Sequence, residues 1–505
     1  MLLLIGVGYT AYTYFAPKSI EEAVEQLRFD NSVTVSEQQT IRDAMQAQSK
    51  TYKGSLQASV KTNQEAVKDS PVLMAYVLVT NVYSSRQTIT TAELKKMALK
   101  IPSNTDDKIR TAFAAALGLD VSKITLLAGA VKDMSASDIA FIPASELTKD
   151  IKLLSFDGTY YLDNFTKGAI FRQADFAGPD ASSLADLKLN DLAREDTTLS
   201  VKMTGVTALT RVMMRKLTTV KDPLYFSEKI GDFLAEADIT HVSNEVSFRS
   251  GCQYSSVSFC SPLEFIETLK DSGVDLVELT GNHNNDNGNL YNTESINLYH
   301  SLGMATFGGG LNSAEAAKPH LASQKGTTIT FIGYNMADGP NSGAVAGSTT
   351  AGANHYNDAK AKADIAAARQ SSQFVIVNIQ YAECQAYPDG YVEFPLCDGT
   401  IGGQAAAFRK MIDYGADMVV GSSAHQPQTY ELYSGKPIYY GLGNLYFDQT
   451  QWPGTERGII LTHYFLNGKL LQTKLSPTVY DRDLQTRLSD NEETVYLLER
   501  LNAAR

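Results

Sequence analysis

The second half of the chain repeats one pattern, in which a helix is followed by an acidic turn, an apolar strand and a polar loop. Residues 226–248 (FSEKIGDFLAEADITHVSNEVSF) show the pattern first, and residues 265–288 (FIETLKDSGVDLVELTGNHNNDNG) repeat it. Further apolar runs of strand length occur in TTITFIGYN, QFVIVNIQY and DMVVGSS. Short strands that alternate with helices are typical of layered α/β folds. We therefore predict the α/β class.

Polar clusters follow four of these strands directly. They are SNE at 243–245, GNHNNDNG at 281–288, YAE at 381–383 and SAH at 423–425. In layered α/β folds, ligands bind outside the carboxyl ends of the strands, where such loops converge. The shared placement of the four clusters therefore predicts one binding or catalytic site.

The length of 505 residues is too great for one compact core. We predict an anchor over residues 1–17, then a polar segment over 18–70 that is either a helical stalk or the start of the next domain. Strands and helices alternate again over 71–185, which predicts a small α/β domain of unknown role. The second domain is predicted over residues 195–485.

The N-terminus begins MLLLIGVGYTAYTYFAPK, and Lys18 is its first charged residue. A full membrane span needs about 20 apolar residues, so this run is short, although tilt or a thin bilayer accommodates less. We expect a single N-terminal membrane anchor with the remaining domains outside the cytoplasm. A buried strand or helix is the alternative.

The chain is acidic, with a formal net charge of −12. An acidic surface repels the phosphates of nucleic acid, so we expect no nucleic-acid partner. Any anionic ligand would need a local positive feature.

The four cysteines form two local pairs, Cys252 with Cys260 and Cys384 with Cys397. Because no CxxC or similar spacing is present, zinc binding through thiolates is not expected. On the oxidising side of a membrane, two local disulfides are the natural interpretation. Four reduced and buried cysteines are the alternative.

The ordered polar motifs of the second half are similar to those of the CapA family, which is named for poly-γ-glutamate capsule synthesis. The similarity extends from about residue 199 to about residue 485 and rests on Asn282-His283-x-x-Asp286-x-Gly288, SNE, YAE, GSSAH and KPIYYGLGNLYFDQ. It implies a layered β-sandwich with flanking helices that resembles metallophosphoesterases.

The resemblance also exposes departures from the metal-binding pattern of the family. Val206 stands where the family has its first carboxylate, and Gln380 and Ser423 stand where it has histidines. A two-metal phosphoesterase needs several His and Asp ligands and a bridging carboxylate. We therefore expect no binuclear centre, and we favour a metal-free site over a single divalent ion. If one ion is held, its ligands are Glu245, Asn282 and His425.

The resemblance implies roles for the remaining motif residues. The catalytic candidates, an acid–base set of carboxylates and imidazoles, are Glu245, His283, Glu383 and His425. The ligand-binding candidates are Arg211, Asn244, Asn282, Asp286, Gln380, Ser423 and Asn444. Arg211 is the local positive feature for an anion, and Asp286 with Gly288 also fits an Asx-type turn. The histidines outside the motifs are expected to be structural or exposed, namely His241, His300, His320, His355 and His463.

Three functions are compatible with this pattern. The first is an anchored extracytoplasmic protein that acts in synthesis, attachment or remodelling of an anionic cell-surface polymer such as poly-γ-glutamate, alongside other capsule-synthesis proteins. The second is a binding or scaffold module without catalysis. The third is a metal-dependent phosphoesterase, against which Val206 and Ser423 argue most. Both cysteine pairs would pin loops beside the site.

Overall fold

The computed structural model describes residues 17–48, 51–53, 55–189, 194–381, 403–450, 452 and 454–504. The chain forms two compact units, Met1–Asp196 and Thr197–Arg505. Each unit has its own sheets and its own hydrophobic core.

Strands and helices alternate in the N-terminal unit. Its helices are α1 (Ile20–Glu25), α2 (Val35–Gln46), α3 (Thr91–Leu94) and α4 (Asp107–Leu117). Its strands are β1 (Pro17–Lys18), β2 (Arg28–Phe29), β3 (Tyr52–Lys53), β4 (Gln57–Asn63), β5 (Val72–Asn81), β6 (Thr88–Ile89), β7 (Leu99–Pro102), β8 (Ile124–Leu127), β9 (Ala140–Pro143), β10 (Ile151–Leu153), β11 (Ser155–Phe156) and β12 (Ile170–Ala177). The main sheet has the order β2-β4-β12-β5-β9-β7-β8, and β10 pairs with β5.

Helices α1 and α2 begin at capping boxes, in which a hydroxyl and a glutamate carboxylate each bond a backbone N–H of the first turn. Both helices pack on the main sheet, because Val24 and Ile41 share one core cluster with Val60 of β4 and Ala174 of β12. The polar segment that precedes residue 70 is therefore part of this unit's fold.

The C-terminal unit contains two larger sheets. Its strands are β13 (Thr198–Thr207), β14 (Ile239–Asn244), β15 (Leu276–Glu278), β16 (Ala305–Phe307), β17 (Gly309–Gly310), β18 (His320–Gln324), β19 (Thr327–Asn335), β20 (Gly352–Ala353), β21 (Phe374–Gln380), β22 (Met418–Ser422), β23 (Tyr430–Tyr433), β24 (Lys436–Tyr439), β25 (Asn444–Tyr446), β26 (Arg457–Leu466), β27 (Lys469–Tyr480) and β28 (Thr486–Leu488). Its helices are α5 (Arg211–Val220), α6 (Gly231–Ala235), α7 (Ile266–Asp271), α8 (Asn289–Ser301), α9 (Ser313–Ala316), α10 (Asp358–Ser371), α11 (Gln404–Asp413) and α12 (Asn491–Ala503).

The first sheet has the order β16-β15-β14-β13-β26-β27-β28, and β25 pairs with β13. The second has the order β18-β19-β21-β22-β24-β23. Strands β13 to β16 are mutually parallel, as are β19, β21, β22 and β24. Their carboxyl ends therefore lie at one edge of each sheet.

The two sheets pack face to face, and helices cover their outer faces. Phe307 and Phe331, one from each sheet, lie 5.8 Å apart between ring centres, and Phe374 and Phe465 lie 5.0 Å apart. Helices α5 to α8 share a core with the outer face of the first sheet, and α10 and α11 share one with the second. The prediction of mixed α/β sheets with flanking helices is confirmed.

The predicted anchor at residues 1–17 lies outside the described residues except for Pro17. Within the part of the chain that the structure describes, no helix combines the length and the apolar character that crossing a membrane requires.

Candidate functional site

Strand ends from both sheets bring the predicted residues together. Glu245 directly follows β14, while Gln380 ends β21 in the opposite sheet, and their side chains form a hydrogen bond. Gly281 makes this approach possible, because a Cβ at this position would lie 2.8 Å from Cα of Glu245. The loop that carries Asn282 and His283 therefore passes directly over Glu245.

Gln380 occupies the centre of the buried floor. Its Nε2 donates to Oε1 of Glu245 at 3.0 Å and to Oδ1 of Asn282 at 3.2 Å. Its Oε1 accepts from the Ser422 hydroxyl at 3.0 Å. The amide thus uses both donors and its acceptor within the protein, so Gln380 positions Glu245 and Asn282. The prediction that Gln380 binds a ligand directly is wrong.

His425 faces Glu245 across the floor with a defined tautomer. Nδ2 of Asn444 donates to the Thr455 carbonyl, so its Oδ1 is the acceptor for Nδ1 of His425 at 2.9 Å. Nδ1 therefore carries a proton, and Nε2 faces Oε2 of Glu245 at 4.0 Å. That carboxylate oxygen is buried and has no hydrogen-bond partner among the described residues. A carboxylate and an imidazole in this arrangement can move or hold a proton.

Arg211 lies between two aromatic rings at the edge of the floor. Its guanidinium carbon is 4.8 Å from the centre of the Phe259 ring and 4.6 Å from that of Phe447. Phe259 also contacts His283, and Phe447 contacts His425. The two rings therefore hold a partly exposed cation beside both histidines.

His283 is oriented by Asp286, whose Oδ2 lies 2.9 Å from Nδ1 of the ring. The same oxygen accepts the backbone N–H of Phe259 at 2.9 Å. Asp286 thus links the GNHNNDNG loop to the segment closed by the Cys252–Cys260 disulfide. Its role is to fix His283 and the loop, and the first of the two predicted disulfides is confirmed.

Two residues of the site have strained backbone. Arg211 has φ of 45° and Ser423 has φ of 75°, in the left-handed region that glycine favours. Such strain persists only where surrounding contacts impose it, and it clusters at functional sites. The buried Ser423 hydroxyl has no hydrogen-bond partner among the described residues.

Asn244 is turned away from this floor. Its Oδ1 accepts from the Thr207 hydroxyl, and its Nδ2 donates to the Val246 carbonyl and to the Tyr299 hydroxyl. Both ends of the amide are therefore used in holding the loop after β14. The prediction that Asn244 binds a ligand is wrong.

Glu278 is a buried residue that the sequence did not single out. Its carboxylate accepts hydrogen bonds from Thr280, from Asn378 and, at 2.9 Å, from Ser422. Burial opposes its ionisation, but the nearby His241 ring and these hydroxyl donors outweigh burial and hold its pKa below the usual value. The Ser422 oxygen is also 3.0 Å from Gln380, so Glu278 is connected to the floor through one hydroxyl.

His241 was expected to lie outside any cluster, and the structure corrects this. Its Nε2 is 3.3 Å from Glu278, and both side chains are buried between the sheets. His463 is also fully buried, and burial lowers its pKa to about 3. The signal available in the sequence was alternation along β14, because His241 and Ser243 must share the face opposite Val242.

Asp448 is a second residue without a predicted role. Its two oxygens accept the backbone N–H groups of Val212 and Met213, both at 3.3 Å, so it caps the first turn of α5 directly after Arg211. Burial raises the pKa of Asp448 to about 6, although Arg211 and the backbone donors act in the opposite direction.

The comparisons with known proteins agree with this geometry. Residues 200–449 match the family model described as bacterial capsule synthesis protein PGA_cap. The C-terminal unit belongs to this family. The resemblance to CapA proteins is thereby confirmed.

Two curated CapA proteins are similar over the same unit. The capsule biosynthesis protein CapA of Bacillus anthracis is 24% identical over 205 residues, which cover 40% of this chain and 46% of the relative. The PGA biosynthesis protein CapA of Bacillus subtilis (strain 168) is 26% identical over 207 residues, covering 41% and 51% respectively. The chain thus spans about half the length of the curated relatives it matches.

A solved structure of a novel phosphatase from Mycoplasma pneumoniae is 11% identical, with a TM-score of 0.34, and the match covers 56% of this chain and 94% of that chain. A hypothetical protein from Thermus thermophilus is 12% identical, with the same TM-score and 55% and 98% coverage.

The site does not fit the binuclear metal centre that the CapA pattern implies. Val206, at the position of the first carboxylate, is buried in an apolar cluster with Ala208, Val246 and Phe447. The Gln380 amide lies between Glu245 and Asn282, two of the oxygens that a metal would need. Within the described ranges, no group of three or more His, Cys, Asp or Glu side chains is arranged to hold an ion.

Three predicted residues of this family site lie outside the described residues. They are Glu383, Cys384 and Cys397. The second predicted disulfide and the catalytic role of Glu383 stay predictions.

Proposed function

We propose that this CapA-family chain acts in synthesis, attachment or remodelling of an anionic cell-surface polymer of the poly-γ-glutamate class, and that Arg211 binds a carboxylate of that polymer. The observation that carries the proposal is the Arg211 cation between Phe259 and Phe447, beside His283 and His425. In a chain of net charge −12, a cation with its position fixed by two rings supplies the local attraction that a carboxylate needs.

The chemistry available at the site is acid–base chemistry without a binuclear metal. Glu245 and His425 face each other at 4.0 Å, and Asn444 fixes the imidazole. If the protein is an enzyme, this pair supports hydrolysis or transfer at an amide or phosphoester bond of the polymer.

A second candidate function is a binding or scaffold module. It is favoured by Gln380, whose amide spends all its hydrogen-bonding groups inside the protein and thereby fills the centre of the floor. Recognition by Arg211 is common to both candidates, and only turnover separates them.

One titration and one incubation test these alternatives. Calorimetry with the full chain should detect binding of γ-linked glutamate oligomers, and absence of binding to any anionic oligomer would contradict the proposal. Incubation with long poly-γ-glutamate, followed by size-exclusion chromatography, separates the candidates. Polymer shortening that is lost in Glu245→Gln indicates an enzyme, and unchanged polymer indicates a binding module.

We also propose a single membrane anchor at residues 1–17, with both units outside the cytoplasm and in contact with other capsule-synthesis proteins. The Cys252–Cys260 disulfide supports an oxidising compartment. In bacterial cells the chain should pellet with membranes after an alkaline carbonate wash, and Leu3→Arg with Ile5→Arg should release it. Wild-type protein in the supernatant would contradict the anchor.

A further inference from the structure

The N-terminal unit contains a cleft that the CapA-family site does not use. Its volume is about 590 Å³, which is within the range of small-molecule sites. Its walls come from β4, from the first turns of α4 and from the loop after β2, and Arg172 of β12 is at its floor. All of these elements belong to one unit.

Arg172 is held rigidly although it lines an open cleft. The side chain is 2% exposed, and its Nε and Nη2 each donate to the Glu37 carboxylate at 2.8 Å. Nη2 also donates to the Ser32 carbonyl at 3.0 Å, and Nη1 donates to the Thr62 hydroxyl at 3.0 Å. A guanidinium has five N–H groups, so one N–H of Nη1 is left without a partner among the described residues.

Stability alone does not account for this arrangement. Desolvating two charges costs several kcal/mol per ion, and replacing a buried ion pair with apolar residues is often neutral or stabilising. An aliphatic pair at 37 and 172 would join α2 to β12 equally well. A guanidinium that is fixed by Glu37 and exposed to a cleft by one N–H is, in contrast, already organised for a ligand.

The remaining groups at the floor and rim are mainly donors. The Thr62 hydroxyl accepts from Arg172, which leaves its own O–H for the cleft. Lys108 donates to the Val33 carbonyl at 3.2 Å, so two of its three protons are left. The one rim carboxylate, Asp107, is paired with Arg110 at 2.9 Å. A wall of three alanines, 112, 115 and 116, adds apolar surface.

We propose that this cleft is a second binding site, which takes a small organic anion through its carboxylate or phosphate group. Arg172 and Thr62 bind the oxygens at the floor, Lys108 supplies the uncompensated positive charge, and the alanine wall packs against the aliphatic part of the ligand. The chemistry is that of anion recognition by charge-assisted hydrogen bonds.

Calorimetric titration of the full chain with glutarate and with inorganic phosphate tests the proposal and distinguishes the two head groups. Lys108→Met and Thr62→Val should each weaken binding of the preferred anion about tenfold, which is the loss expected for one hydrogen bond to a charged group. Lys96→Met makes the same charge change on an exposed residue of this unit and should leave binding unchanged.

The variants were chosen to preserve the fold, since Lys108 is exposed and Thr62 is only partly buried. Arg211→Met in the other unit should not change this affinity, which separates the cleft from the CapA-family site. The proposal is overturned if neither anion binds at millimolar concentration. It is also overturned if binding persists in Lys108→Met and Thr62→Val but is lost in Arg211→Met.

Discussion

Nε2 of Gln380 donates to Oε1 of Glu245 across 3.0 Å, and this hydrogen bond joins the two sheets of the C-terminal unit at the floor of the site. Glu245 is 2% exposed, so the amide is one of the few groups that compensate its buried charge. The stability of the unit and the ionisation of its candidate catalytic carboxylate therefore depend on the same contact.

Gln380→Leu should destabilise the C-terminal unit by about 2–3 kcal/mol, because it leaves a buried carboxylate without its donor. Urea unfolding followed by fluorescence measures this unit specifically, since Trp452 is the only tryptophan in the chain. The double variant Glu245→Leu with Gln380→Leu should recover much of the loss. Strictly additive effects of the two substitutions would show that the contact carries no energy.

The Cys252–Cys260 disulfide closes a loop of sequence separation 8 that carries Phe259. Replacing both cysteines by alanine should cost about 2–3 kcal/mol, because the unfolded chain gains loop freedom. The substitution also loosens Phe259 against Arg211, so affinity for an anionic oligomer should fall as well. Thermal unfolding with and without a reductant is the measurement. A wild-type melting temperature that is insensitive to the reductant would contradict a structural role.

Asp448 makes the stability of the C-terminal unit depend on pH. Burial raises its folded-state pKa from 3.8 to about 6, so the folded state binds this proton more tightly than the unfolded state does. Its contribution is therefore fully present below pH 3.8 and is lost as the pH rises through about 6. Across this window, the wild-type unfolding free energy should fall by about 3 kcal/mol relative to Asp448→Asn. Parallel pH profiles for the two proteins would contradict this assignment.

Removal of divalent ions should leave the protein unchanged. Val206 and Gln380 replace two ligand types that a binuclear centre requires, so purified protein should contain less than one equivalent of manganese, iron or zinc per chain. Its melting temperature should not move on dialysis against a chelator. Stoichiometric metal, with a lower melting temperature after chelation, would instead support the phosphoesterase alternative.

The sequence predicted the position of the site better than the role of each residue in it. Glu245, Asn282, Gln380 and His425 could be placed together because each follows a strand, and the carboxyl ends of parallel strands converge. Their individual hydrogen bonds could not be predicted, because these depend on side-chain geometry. Gln380 is the clearest case, since its three partners come from three separate segments.

Glu278 and Asp448 were missed for a related reason. The Ser422 partner of Glu278 is 144 positions away in the sequence, and the Val212 partner of Asp448 is 236 positions away. Such pairings follow from the packing of one sheet on the other and from the docking of α5. Local patterns in the sequence carry no signal for them.

The central claim is that Arg211, fixed between two aromatic rings, recognises a carboxylate of an anionic polymer. Calorimetric titration of the full chain with a γ-linked glutamate oligomer tests it most directly, with Arg211→Met compared against Arg215→Met. Arg215 lies on the same helix and is exposed, so the control removes an equal charge. We expect Arg211→Met to weaken binding about tenfold or more and Arg215→Met to leave it unchanged. Equal affinities for the two variants, or no binding by the wild-type chain, would contradict the claim.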